Sequence, residues 1–169
     1  FIEDCYRVLK KDGVLRIATP DSHFLYNVSK FKNNYWDWRR KWFSRKNKYI
    51  SEKNEDQITM LDYLTRELCT PRLKFRERNI DELKIEEAFD NLSYKEFVEQ
   101  IKQNLKFDIN NIGDHINNWD FDRLKTICSA LNFSKIINSK YRGSVSSDMQ
   151  SESFDKTAPQ MSLYVDFVK

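Results

Sequence analysis

The chain has 169 residues, 40% of them hydrophobic and 33% charged, with a formal charge of +3. That length and balance suit one soluble globular domain with a real core, and the net charge is too small to argue by itself for a nucleic-acid partner, which is not expected. Three widely spaced cysteines (Cys5, Cys69 and Cys128), with no C-x-x-C pair, argue against a disulfide framework or a zinc site and suit reduced thiols in a cytoplasmic protein. The N-terminus carries Glu3 and Asp4 rather than a basic, apolar leader, and no stretch approaches the ~18 apolar residues of a membrane span.

Ile2, Cys5, Tyr6 and Leu9 repeat at helical spacing, so the chain opens on an amphipathic helix from Phe1 to Lys10, already under way and without an initiator Met. A turn at Lys11-Asp12-Gly13 follows, with Gly13 expected in the left-handed conformation. Val14 to Thr19 reads as a strand covered on both faces and ended by Pro20. In residues 22–49, Phe31, Tyr35, Trp38 and Trp42 fall on one stripe of a helix, among Arg39, Arg40, Lys41, Arg45, Lys46 and Lys48. Such a segment can be a lid, an anion-binding surface, or a core stripe with a solvated charged face, and the spacing favours packing.

Helical spacing returns at Ile58, Leu61, Leu64 and Leu68, and Thr70-Pro71 ends that helix. Leu83, Ile85, Ala88, Phe89 and Leu92 suggest a short helix; Ser93-x-x-Glu96 is a capping box opening the next, to about Leu105. After an Asn-rich loop, Asp120 caps a helix with Phe121, Leu124, Ile127, Cys128 and Leu131 on its apolar face. Lys135 to Tyr141 reads as a strand. Residues 142–160 read as an exposed, mobile connection, and Met161 to Val168 as an alternating closing strand.

Only three glycines occur, Gly13, Gly113 and Gly143, so no G-x-G-x-x-G or P-loop can be written anywhere in the chain. There is no G-x-S-x-G nucleophile motif, and pairs such as Glu86-Glu87 and Asp120/Asp122 read as surface charge and capping.

Cys5-Tyr6-Arg7-Val8-Leu9-Lys10-Lys11-Asp12-Gly13, running into Val14-Leu15-Arg16-Ile17-Ala18-Thr19-Pro20-Asp21, resembles the phrase that enters the fifth strand of class I S-adenosylmethionine-dependent methyltransferases of the small-molecule type. Lys11-Asp12 stands where that family has Pro-Gly. His115 with Trp119-Asp120 to Leu124, Ala130-Leu131-Asn132-Phe133, and Ser162 to Asp166 resemble the family's last helix and closing strand. The likeness covers about residues 1–26 and 113–169. It implies an α/β fold: a partial Rossmann-like methyltransferase domain with a three-stranded mixed sheet in the order 5-7-6. Residues 1–169 would form a single truncated domain, with a helical insertion or lid at 25–112.

The resemblance further implies that the cofactor-binding half precedes Phe1. S-adenosylmethionine would then belong to the parent protein, and no cofactor-binding residue carries over to this chain. The unpaired strand edge would favour a homodimer or swapped assembly. In open α/β sheets ligands bind beyond the carboxyl ends of the strands. Asp21 and His23 therefore stand where the resembled enzymes face the methyl acceptor, with His115 able to approach the same pocket. Each of the three is a candidate catalytic residue on the acceptor side, against the plainer reading of Asp21-Ser22 as a helix cap and His115 as a loop tie. The implied transferase acts on a small-molecule or saccharide-like acceptor and is inactive as this isolated chain. A non-catalytic binding or assembly module, using the basic aromatic helix on an anionic partner, is the alternative.

Overall fold

The computed structural model describes residues 1–31, 34–40, 58–68, 82–103, 105, 109 and 115–169. In chain order the regular elements are α1 (Ile2–Val8), β1 (Val14–Pro20), α2 (Ser22–Phe31), α3 (Met60–Leu68), α4 (Glu82–Asn91), α5 (Tyr94–Lys102), α6 (Phe121–Cys128), β2 (Lys135–Ser139) and β3 (Ser162–Val168). They fall into two compact units. One is Phe1–Asp21 with Trp119–Lys169; the other is Ser22–Asn118.

The first unit is built on a three-stranded sheet in the order β1-β3-β2. β3 runs antiparallel to both neighbours, with Ile17 opposite Val165 on one side and Asn138 opposite Val165 on the other. The sheet is therefore antiparallel and not mixed: β1 and β2 run in the same direction, but β3 separates them and no parallel ladder forms. Position in the sheet also reverses the expected burial. Every residue of the edge strand β1 is half-buried, while the central strand β3 is buried at five successive positions, Leu163 to Phe167.

Strand alternation gives the sheet two unlike faces. Leu15, Ile17, Leu163, Val165 and Phe167 take one face and pack with Leu124 and Cys128 of α6 and with Ile2, Phe121 and Phe133. Ile127, expected on the apolar face of α6, stays 45% exposed. Asp120 caps α6 as its spacing suggests, its Oδ1 accepting the Arg123 N–H at 2.7 Å. Burial holds the Cys128 thiol above its ordinary pKa, which keeps it protonated and unreactive.

The α1–β1 turn differs from expectation in which residue takes the left-handed conformation. Asp12 does (φ 63°), and Gly13 does not. Glycine is needed there for closeness instead: a Cβ on Gly13 would lie 2.8 Å from the Lys10 carbonyl oxygen and 3.1 Å from Leu9. The turn is tied to the C-terminus, where Asp12 N–H donates to Lys169 O and Lys169 N–H to Gly13 O. Lys169 Nζ then donates to the carbonyls of Tyr6 (2.7 Å) and Leu9 (2.9 Å), closing the open end of α1. Gly13→Ala should cost about 1–3 kcal/mol, because the clashing atom is backbone and cannot swing away; a lowered urea midpoint with an unchanged slope checks it.

In the second unit α2 packs against α3 and α5, and α4 against α5. Leu25, Leu64, Leu68, Phe97 and Ile101 are buried at its centre. The capping box at Ser93 and Glu96 forms as the sequence indicates and starts α5 at Tyr94. Lys30 donates to Phe89 O and Tyr26 Oη, each at 3.0 Å, so a cation sits at the last turn of α4.

The aromatic stripe drawn through Phe31, Tyr35, Trp38 and Trp42 does not form a single helix. α2 ends at Phe31, and after a turn at 34–36 helical backbone resumes at Asp37. Phe31 is 74% exposed, and the buried ring is Trp36, which the stripe omits. Trp36 Nε1 donates to Ser29 Oγ at 2.9 Å, and its ring stacks on Tyr63. Trp42, Lys41, Arg45, Lys46, Lys48, Cys69 and the Thr70-Pro71 break lie outside the described residues. No helix among the described residues is long and apolar enough to cross a membrane.

Candidate functional site

The chain reaches the carboxyl end of β1 at Pro20, and the next residues are the candidates read from sequence. Asp21 belongs to the sheet unit. Its N–H donates to Met161 O at 2.8 Å, and its backbone forms a parallel bridge with Trp119. The Arg123 guanidinium lies 4.8 Å from the Trp119 ring centre, which holds that side of the bridge.

Ser22 and His23 belong to the helical unit. Ser22 is 1% exposed, and its Oγ shares a hydrogen bond of 2.5 Å with Tyr94 Oη. His23 is exposed and stacks on the Tyr94 ring, centroids 4.6 Å apart and planes 28° from parallel. Tyr94 is thus a neighbour of the candidate residues that sequence reasoning missed. Its only sequence signal is an aromatic directly after the Ser93 cap, and nothing in that spacing names Ser22 or His23 as partners.

His115 is half-buried, with Nδ1 2.9 Å from the carbonyl oxygen of Glu67. A carbonyl can only accept, so Nδ1 carries the hydrogen and, in the neutral ring, Nε2 keeps the lone pair. This is the loop tie that the plainer reading expected. His23 and His115 therefore have separate partners, Tyr94 and Glu67.

The basic aromatic segment is engaged internally at its described positions. Arg39 is 11% exposed and meets Glu67 Oε1 at 2.6 Å, and Arg66 meets the same oxygen at 2.6 Å. Burial pulls the Arg39 guanidinium below its ordinary pKa, with Glu67 pulling the other way. Arg40 pairs with Asp37 on the surface at 3.1 Å, a contact of small energetic weight.

Another buried charged cluster lies on the second face of the sheet. Arg16 and Asp166 face each other in register, and their side chains are 5% and 0% exposed. Arg16 meets Asp155 twice, Nε to Oδ1 at 2.7 Å and Nη2 to Oδ2 at 2.8 Å, and Asp166 Oδ1 once at 2.7 Å. Arg142 N–H donates to Asp155 Oδ2 and Val145 N–H to Asp166 Oδ2. Nη2 also reaches Lys140 O, and the guanidinium lies 5.0 Å from the Tyr164 ring centre.

All four carboxylate oxygens thus have donors, which makes the cluster a fastening rather than a pair of acid–base groups. It also anchors the 142–160 connection, which is exposed at most positions as expected. Asp155 and Ser144 of that segment are 3% and 2% exposed, and the loop is tied to the sheet through Arg16.

Hydrogen bonding from Arg16, above all, holds the Asp155 carboxyl below its ordinary pKa; burial opposes this, and Arg142 N–H adds to it. The same bonds hold the Arg16 guanidinium above its own ordinary value. Because the folded value of Asp155 is the lower one, its contribution is complete above the unfolded value of about 3.9 and disappears as pH falls through the folded value. Urea midpoints should therefore decline below about pH 4, and Asp155→Asn should make that decline shallower.

Among the described residues no group of three or more His, Cys, Asp or Glu is placed to hold a metal ion. The described glycines do not supply a cradle for a nucleoside cofactor either. A Cβ on Gly13 would meet Lys10 O, and one on Gly143 would meet the Lys140 side chain at 2.6 Å, so each close approach is to the chain itself. Gly113 lies outside the described residues. Comparison with known proteins returned no match: no family model, curated protein or solved structure is significantly similar to the chain.

Proposed function

We propose that residues 1–169 form the acceptor-side, C-terminal part of an S-adenosylmethionine-dependent methyltransferase that acts on a small-molecule or saccharide-like acceptor. The observation that carries the reading is the closing strand. β3 is antiparallel between two strands that run in a common direction, and each of those strands follows a helix, α1 before β1 and α6 before β2. That order agrees with the 5-7-6 end of the methyltransferase sheet, and the Cys5–Asp21 phrase agrees with the entry to its fifth strand.

On this reading the residues after β1 face the acceptor. Methyl transfer depends mainly on holding the acceptor atom in line with the methyl group. A proton must leave the acceptor hydroxyl or amine, and His23, an exposed imidazole stacked on a hydrogen-bonded tyrosine, is the side chain best suited to take it. Asp21 is held by its backbone bond to Met161 O, and His115 by its ring bond to Glu67 O. On this reading the cofactor is held by the preceding half of the parent protein, and the isolated chain is inactive. The outer edge of β1 receives a preceding strand in the parent protein, and a second copy of the chain can take that place when the chain is isolated.

The test is to express the chain with its upstream reading frame and to titrate both forms with S-adenosylmethionine. The longer protein should bind at micromolar concentration and the 169-residue chain should not. An upstream segment without a strand–Gly-x-Gly–helix run, or a longer protein that fails to bind, overturns the reading. Micromolar binding by the short chain overturns the placement of the cofactor site in the preceding half, and a clean monomer at micromolar concentration in sedimentation removes the second-copy contact.

A further inference from the structure

Tyr94 is held in three independent ways. Its backbone opens α5 inside the Ser93–Glu96 capping box, where Ser93 N–H donates to Glu96 Oε2 at 2.9 Å. Its hydroxyl is hydrogen-bonded to Ser22 Oγ, itself 1% exposed. Its ring lies 5.7 Å from that of Tyr26, whose own hydroxyl donates to Leu92 O at 2.7 Å. A ring fixed at the backbone, at the hydroxyl and at its neighbour loses little further freedom when another group rests on it. The group that rests on it is His23, the residue next to Ser22.

The pairing answers a need that a surface histidine otherwise fails to meet. An exposed imidazole turns freely about two side-chain bonds, whereas proton transfer requires its nitrogen within about 3 Å of the reacting atom. Stacking on an immobile ring limits the imidazole to one plane and leaves its edge, where both nitrogens lie, open to an incoming hydroxyl or amine.

We infer that Tyr94 is the positioning residue for His23: pinned by Ser22 and the capping box, it presents the imidazole edge to a protic acceptor. The acceptor role rests on the transferase reading above, whereas the positioning does not. Two measurements separate them.

The first is proton NMR of the His23 ring in the 169-residue chain. Its C–H resonances should be shielded by the tyrosine ring. The shielding should persist in Tyr94→Phe, which keeps the ring, and disappear in Tyr94→Leu, with the amide spectrum showing that both variants fold. His23 resonances at free-histidine positions in the wild type, or unchanged in Tyr94→Leu, overturn the positioning whatever the protein does.

The second is methyl transfer by the upstream-extended protein. Tyr94→Leu should lower kcat by up to about 100-fold with little change in KM, the penalty of a misplaced reacting group, and Tyr94→Phe should restore most of it. Equal kcat in Tyr94→Leu and wild type, with the shielding lost as expected, shows that the held imidazole has no part in the reaction and overturns the acceptor role alone.

Discussion

Arg16→Met should destabilise the protein by about 3–5 kcal/mol, the cost of leaving buried carboxylates without their cation. The side chains of Asp155 and Asp166 are at most 1% exposed, and water cannot take the place of the guanidinium. Each carboxylate keeps one backbone N–H, from Arg142 and Val145, which softens the loss without matching a doubly bonded guanidinium. Arg16→Lys should recover only part of it, because an ammonium cannot make the paired bonds to Asp155. Urea unfolding at pH 7 measures both variants. A loss below about 1 kcal/mol for Arg16→Met would mean that the cluster is solvated, since exposed pairs contribute that little.

Glu67→Leu should be the second costly change, at about 3 kcal/mol. Here the arrangement is inverted: one carboxylate, 2% exposed, serves two guanidiniums that are themselves largely buried. Burial already disfavours the charged form of Arg39, and removing Glu67 takes away the main opposing influence. Arg66→Met should cost less, because Glu67 keeps Arg39. Urea unfolding at pH 7 measures these variants as well.

These two clusters mark the limit of what the sequence makes legible. The capping box at Ser93 and the cap at Asp120 were readable because each spans three residues of backbone. The strands at 14–20 and 162–168 were readable because a mostly apolar run in the first and an alternating run in the second stand between turn signals. Arg16 and Asp166 lie 150 positions apart, and no local spacing announces that they meet.

The exposed look of 142–160 followed from its polar composition. Its anchoring comes from two side chains on distant strands. The stripe through Phe31 failed for a different reason: it supposed one unbroken helix, and the turn after Phe31 moved the buried role to Trp36. The candidate site was legible only as residue types after β1. Tyr94, which gives His23 its setting, lies 72 positions beyond Ser22 and carries no motif of its own.

The parallel bridge between Asp21 and Trp119 fixes where the polypeptide leaves the strand unit and where it returns. Departure and re-entry are neighbours, so the strand unit closes on itself across one pair of peptides. Adjacent ends let a linker of another size or composition span Asp21 to Trp119 while the strand order is preserved, and they mark these two peptide positions as graft points for protein engineering.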